Sequence, residues 1–212
     1  MPAEMPDAAS NRRPIKSRSA SWAVALATVL IRLRVSPNAI SVVSAVFALV
    51  GAYLLIRVPT MAGLLGVAVC VQLRLLCNLL DGMVAIEGGR QSAVGALYNE
   101  IPDRVADSLF IVAVGYAIAN PALGWYGALA AAVTAYIRVL GGSLGLKQDF
   151  RGPMAKPHRM AILTLGCVLG AIELKLGGSR WALTVALWLI AAGATVTCVT
   201  RTLSIARHLR AK

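Results

Sequence analysis

The sequence predicts an all-α integral membrane protein with six transmembrane helices preceded by an amphipathic interfacial helix. Three observations predict it. The chain is 58% apolar and only 14% charged, with mean hydropathy +0.73, whereas soluble domains carry about 25% charged residues. Its apolar residues gather into six stretches, roughly 38–56, 61–83, 93–118, 121–144, 158–175 and 181–203, each near the ~20 residues that a bilayer requires. Its cations concentrate in alternate loops, as the positive-inside rule demands.

Each element has its own signal. Residues 1–19 are polar and basic (Arg12, Arg13, Lys16, Arg18) with no long apolar core, and read as a disordered cytoplasmic arm rather than a cleavable signal. Residues 20–34 combine Trp22, Leu26, Val29 and Ile31 with Arg32 and Arg34, the composition of a helix lying in the interface with its arginines among anionic headgroups. Ser36-Pro37-Asn38 opens the first span: Ser36 caps it and Pro37 suits its first turn. The membrane domain is expected over residues 20–205, with a basic cytoplasmic tail over 206–212.

Charge orients the spans. The arm, Arg90, the loop carrying Lys147, Arg151, Lys156 and Arg159, and the tail with Arg201, Arg207, Arg210 and Lys212 fall on one side. The opposite loops hold only Arg57, Lys175 and Arg180 as cations. Both termini are therefore expected in the cytoplasm, in the inner membrane if the source is bacterial. The net charge of +12 is then topology, with the lipid bilayer as partner and no nucleic acid. Cys70, Cys77, Cys167 and Cys198 lie in apolar segments without a CxxC pair and read as small buried hydrophobes. His158 and His208 have no second histidine in helical register, which argues against a histidine metal site.

Polar residues inside such greasy segments mark a functional site. Asn78 and Asp81 are i and i+3 and share a helix face. Asn99, Asp103 and Asp107 are spaced by four, drifting about 40° per step, and share another. The short connection Glu87-Gly88-Gly89-Arg90-Gln91-Ser92 predicts that spans 2 and 3 are antiparallel neighbours, so oxygen donors from both converge at one depth. Such hard donors suit Mg2+ or Mn2+ shared with substrate phosphates. Gly82, Ala85 and Gly95 keep side chains small beside them. Arg74 or Arg104 neutralising the acids is the competing structural reading.

The pattern Asn78-x2-Asp81-Gly82-x2-Ala85-Ile86-x8-Gly95-x3-Asn99-x3-Asp103 resembles the motif D-x2-D-G-x2-A-R-x8-G-x3-D-x3-D of the CDP-alcohol phosphatidyltransferases, with every spacing kept. The Pro37-Asn38 start, the preceding interfacial helix and the six spans resemble that family too, over about residues 20–205. Asn stands at two of the four motif aspartates, 78 and 99, and Ile86 replaces the arginine. Two negative charges are lost, so one tightly held metal is as consistent with the residues as the two-metal site that four aspartates imply.

The resemblance implies displacement of CMP from a CDP-lipid, typically CDP-diacylglycerol, by the hydroxyl of a small polar alcohol. It implies Asn78, Asp81, Asn99 and Asp103 as metal ligands, Asp103 also as general base, and Gly82, Ala85 and Gly95 as lining of the CDP pocket. It implies an acceptor site among Arg138, Arg151, Lys156 and Arg159, with a phosphorylated acceptor preferred because Arg grips phosphate oxygens in pairs. Homodimers are common in the family. Two rivals stay open: a non-catalytic membrane protein derived from the enzyme, and a small cation-coupled transporter. The acids at one membrane edge argue against the transporter, since such sites sit at the midplane.

Overall fold

The computed structural model describes residues 20–178 and 181–211; the arm expected over 1–19 lies outside them, as do residues 179, 180 and 212. Among the described residues the chain is all-helical. Its helices are α1 Ser21–Arg32, α2 Pro37–Arg57, α3 Met61–Glu87, α4 Gly95–Ala117, α5 Pro121–Ser143, α6 Lys156–Lys175 and α7 Trp181–Arg210. Local chemistry sets several starts. The Ser36 hydroxyl accepts from the Ala39 N–H at 3.2 Å ahead of Pro37, and Thr60 caps α3 through Gly63 at 3.1 Å. Asn120 caps α5 through Leu123 at 3.1 Å, again ahead of a proline. The basic residues at 207 and 210 belong to the last turn of α7 rather than to a separate tail.

Five helices, α2, α3, α5, α6 and α7, are long and apolar enough to cross a membrane. With their outward side chains, such as Leu49 and Tyr53 on α2 and Trp188 and Leu189 on α7, they make this a multi-pass membrane protein. α4 is as long as its neighbours, but Glu100, Asp103, Arg104 and Asp107 within it take it below the apolarity of a simple span. The six-span expectation therefore meets five plain spans and one charged helix.

The helices close into a ring in the order α2, α3, α6, α7, α5, α4 and back to α2, with α1 docked outside on α3. This corrects the pairing expected from the short α3–α4 connection. These two helices share no extended contact, because α2 wedges between them. Ser41, Ser44, Ala48, Gly51, Ala52 and Leu55 form a stripe of mostly small residues buried along α2. A Cβ on Gly51 would lie 2.4 Å from the ring of Phe110 on α4 and 3.2 Å from Cβ of Cys70 on α3, so only a bare backbone fits there. On the next seam, a Cβ on Gly115 of α4 would approach Cα of Gly124 on α5 to 2.7 Å.

The main core fills the ring with residues such as Leu55, Val67, Phe110, Ile111, Leu163 and Leu187. A second cluster seats α1, whose Ala23 and Ala27 press on Leu79, Leu80, Met83 and Val84 of α3. The four cysteines are free. Beyond the core, toward the end where α3 finishes and α4 and α6 begin, the interior of the ring turns polar.

Candidate active site

All six helices of the ring send polar side chains into that end. From α2, Ser41 Oγ donates to Asp81 Oδ2 at 2.7 Å and Ser44 Oγ donates to Asn78 Oδ1 at 3.0 Å. The two serines are i and i+3, so one helix face orients both motif residues of α3. Asn78 Nδ2 in turn donates to Asp103 Oδ1 on α4 at 2.9 Å. Although α3 and α4 are not packed together, their motif residues do meet, across the end of α2.

Asp103 is heavily committed. Arg74 donates to its Oδ1 at 3.3 Å, Lys156 Nζ is hydrogen-bonded to its Oδ2, and Arg104 stands 3.6 Å away. Asp81 contrasts with it. Only 4% of its surface is exposed, its side-chain partner is the Ser41 hydroxyl, and among the described residues it enters no ion pair.

One turn deeper, Asp107 lies between Arg74 and Arg159, each at 2.7 Å. Arg74 is 0% and Arg159 1% exposed. Arg159 also donates to the Met154 carbonyl at 2.8 Å, and Arg74 to the Met160 sulfur at 3.1 Å. On α7, buried Arg201 binds the carbonyls of Arg151 and Thr134 at 2.8 and 2.7 Å. Buried charges persist only when paired and hydrogen-bonded in this way.

The residues expected from sequence separate into groups. Asn78, Asp81, Asp103 and Lys156 come together. Asn99, one turn before Asp103, is exposed. Gly82, Ala85 and Gly95 are half-buried along the same end of α3 and α4. Arg138 pairs with Glu100 and Gln148 and stacks 5.3 Å over the Phe150 ring, a cation–π contact. Glu100 lies 4.0 Å from Arg104, which continues the chain of charges to Asp103. Arg159 belongs to the Asp107 cluster. Arg151 is exposed on the α5–α6 loop, held by Asp149 at 3.0 Å and Ser204 at 3.1 Å. Partial burial pushes the Asp149 carboxyl up, but its hydrogen bonds with Arg151 outweigh this and hold it below the usual carboxylate range.

Sequence reasoning missed Ser41, Ser44, Thr134 and Arg201. The signal for the serines was present: two hydroxyls three apart in an otherwise apolar span. Arg201 was indistinguishable from a topology-setting cation. Arg74 was named as a neutraliser of the acids, and the structure gives it that place.

The fold and this cluster define a multi-pass, all-helical membrane protein whose ring of helices encloses a charged site at one end. No family model matches the chain. The chain is 30% identical over 184 residues to the phosphatidylinositol phosphate synthase of Corynebacterium glutamicum, covering 83% of this chain and 80% of that protein. It is 31% identical over 141 residues to the archaetidylinositol phosphate synthase of Aeropyrum pernix, covering 66% and 71%. The fold matches that of the Mycobacterium tuberculosis phosphatidylinositol phosphate synthase solved with CDP-DAG bound, with TM-score 0.73, 24% identity, and 86% and 92% of the two chains covered. The same enzyme has been solved with manganese and citrate, again at TM-score 0.73. The chain belongs to the CDP-alcohol phosphatidyltransferase family, with the phosphatidylinositol phosphate synthases among its relatives.

Proposed function

We propose that this protein transfers a phosphatidyl group from CDP-diacylglycerol to the hydroxyl of a small phosphorylated alcohol, releasing CMP, in phospholipid synthesis. The observation that carries the reading is the meeting of Asn78, Asp81 and Asp103 from two unpacked helices, in the family's spacing. The names of the relatives support an inositol phosphate as the acceptor to try first.

The residues fit a divalent cation, Mg2+ or Mn2+, at Asp81. Asp81 is a buried carboxylate that accepts from the Ser41 hydroxyl and the Gly82 backbone and enters no ion pair among the described residues, which leaves a hard oxygen donor for the cation. When bound there, the cation would neutralise charge on the pyrophosphate and on the departing CMP. The chain's own groups do the rest. Asp103 takes the proton of the acceptor hydroxyl. The freed oxygen lone pair forms the new bond to the phosphorus that carries diacylglycerol, and the electrons of the broken P–O bond leave with CMP.

Lys156 stays on Asp103 Oδ2, and its remaining N–H bonds are available to an acceptor phosphate brought beside that carboxylate. Arg138, tied to Asp103 through Glu100 and Arg104, stands as a second phosphate partner. Arg159 is held in the Asp107 cluster and Arg151 by Asp149, which favours Lys156 and Arg138 over them. Gly82, Ala85 and Gly95 keep that end of α3 and α4 open for CDP, and Asn99 offers its carbonyl oxygen at the entrance. In this reading α4 completes a six-span domain over residues 20–205, α1 lies at the cytoplasmic interface, both termini face the cytoplasm, and the protein acts as a homodimer.

The test is CMP release by purified protein from CDP-diacylglycerol with Mn2+ or Mg2+ and a panel of alcohols that includes inositol phosphate. Release dependent on one acceptor is expected. No release with any acceptor, together with unchanged CDP-lipid binding in Asp103→Asn, would leave the non-catalytic reading standing.

A further inference from the structure

Resting on the transferase reading above, we propose that the Lys156 ammonium is a resident cation filling one of two positive positions in this site. The chain then binds one divalent ion, at Asp81, where four motif aspartates would hold two. The two retained aspartates are treated in opposite ways. Asp103 receives Asn78 Nδ2 at 2.9 Å and Arg74 at 3.3 Å on one oxygen, and Lys156 Nζ on the other. Asp81 receives a hydroxyl and no cation.

Asn78 explains the difference. Its amide gives a hydrogen to Asp103 where an aspartate would offer a lone pair, and its oxygen is already engaged by Ser44 at 3.0 Å. A metal placed between Asn78 and Asp103 would face N–H bonds rather than donors. Asn99 adds no charge and is exposed.

Lys156 is also built into position rather than folded in from the surface. Gly152 takes a φ of +124°, and a Cβ there would lie 2.5 Å from the Thr197 side chain. The Met154 N–H then donates to Thr197 Oγ1 at 3.0 Å. That clamp fixes the loop on α7 and starts α6 at Lys156, with Pro157 in its first turn. The lysine side chain is only 22% exposed.

Charge balance leads to the same assignment. Asn at 78 and 99 removes two negative charges from the four-aspartate arrangement, and an ammonium supplies one positive charge at Asp103. One divalent ion at Asp81, with Lys156 and the Arg74 shared with Asp107 at Asp103, already offsets both carboxylates and leaves a surplus for the pyrophosphate. A second divalent ion would have to displace a covalently tethered ammonium from a largely desolvated carboxylate.

The test is the stoichiometry of Mn2+ on the purified full chain in lipid nanodiscs, read from the free Mn2+ signal by electron paramagnetic resonance. Wild type is expected to bind one equivalent, as is Lys156→Arg. The double variant Asn78→Asp with Lys156→Met, shown folded by its thermal midpoint, is expected to bind two. Two equivalents on wild type with intact CMP release would overturn this inference and leave the transferase reading in place. One equivalent on the folded double variant would overturn it as well. No Mn2+ on wild type and no CMP release would remove both.

Discussion

Asp107 and Asp81 are both buried acids at the same end of the ring, and their surroundings differ in kind. Asp107 is locked between Arg74 and Arg159, which are themselves tied to Met160 and Met154. Asp81 has a serine hydroxyl and no ion pair. The first arrangement neutralises its carboxylate without a ligand and joins α3, α4 and α6, although Asp107 Oδ1, Arg74 Nε and Arg159 Nε have no hydrogen-bond partner among the described residues. The second leaves a carboxylate with hydrogen bonds but no ion pair among the described residues inside a membrane protein, where a ligand can supply a counter-charge. Burial and charge alone therefore do not mark a site; an unmet electrostatic need does.

Breaking the neutralised cluster should have the largest effect on the fold. Arg74→Met leaves both Asp107 and Asp103 short of a partner, and removing one member of a buried pair costs about 3–5 kcal/mol. The thermal midpoint in detergent should fall sharply and the yield of folded protein with it. A variant as stable as wild type would mean that the cluster does not hold the helices together.

Asp103→Asn should show the opposite division. Loss of a general base lowers turnover by roughly 10²–10⁴-fold, while the single amide oxygen can still accept from Asn78 and Arg74, leaving Lys156 without this partner. CMP release should collapse, with the thermal midpoint falling far less than in Arg74→Met. If the midpoint fell as far, Asp103 would belong with Asp107 as a structural acid.

Asp81→Asn sharpens the contrast further. Removing an unpaired buried charge should leave stability in metal-free buffer equal or higher, whereas the midpoint increase caused by added Mn2+ should vanish. The measurement is a thermal scan with and without Mn2+. Destabilisation in metal-free buffer would show that Asp81 has a structural partner after all.

Ser41→Ala removes one hydrogen bond to Asp81, worth about 1 kcal/mol. It should weaken Mn2+ binding several-fold with a small change in midpoint, read by titration.

The smallest effect is expected outside the ring, at Asp149 with Arg151. The carboxyl of Asp149 is lowered in the folded protein, so its contribution is present above the ordinary carboxylate range and is lost as pH falls through its lowered value. Because Arg151 is exposed, the pair adds little to global stability. Asp149→Asn should leave the midpoint unchanged within error and raise proteolytic nicking of the α5–α6 loop.

Much was legible in the chain itself. Span positions followed from apolar runs and from caps such as Ser36-Pro37, because a bilayer demands internally bonded helices of one length. The motif residues were legible because polar groups at that depth are costly, and their spacing placed them on common faces. The sequence also signalled the loss of charge, at Asn78 and Asn99.

Only the tertiary structure decided which helix lies between α3 and α4, and so brought Ser41 and Ser44 to the site. A two-residue stripe on α2 says nothing of its neighbours until helices pack. Only packing sorted the cations as well. In sequence Arg74, Lys156, Arg159 and Arg201 are single charges near membrane edges, equally suited to topology. Folded, Arg74 and Arg159 close Asp107, Arg201 holds the α5–α6 loop, and Lys156 alone of the four reaches Asp103 through its Oδ2. Pairing over a few ångströms depends on side-chain geometry that hydropathy does not encode, and it separates the charge that builds the membrane domain from the charge available for chemistry.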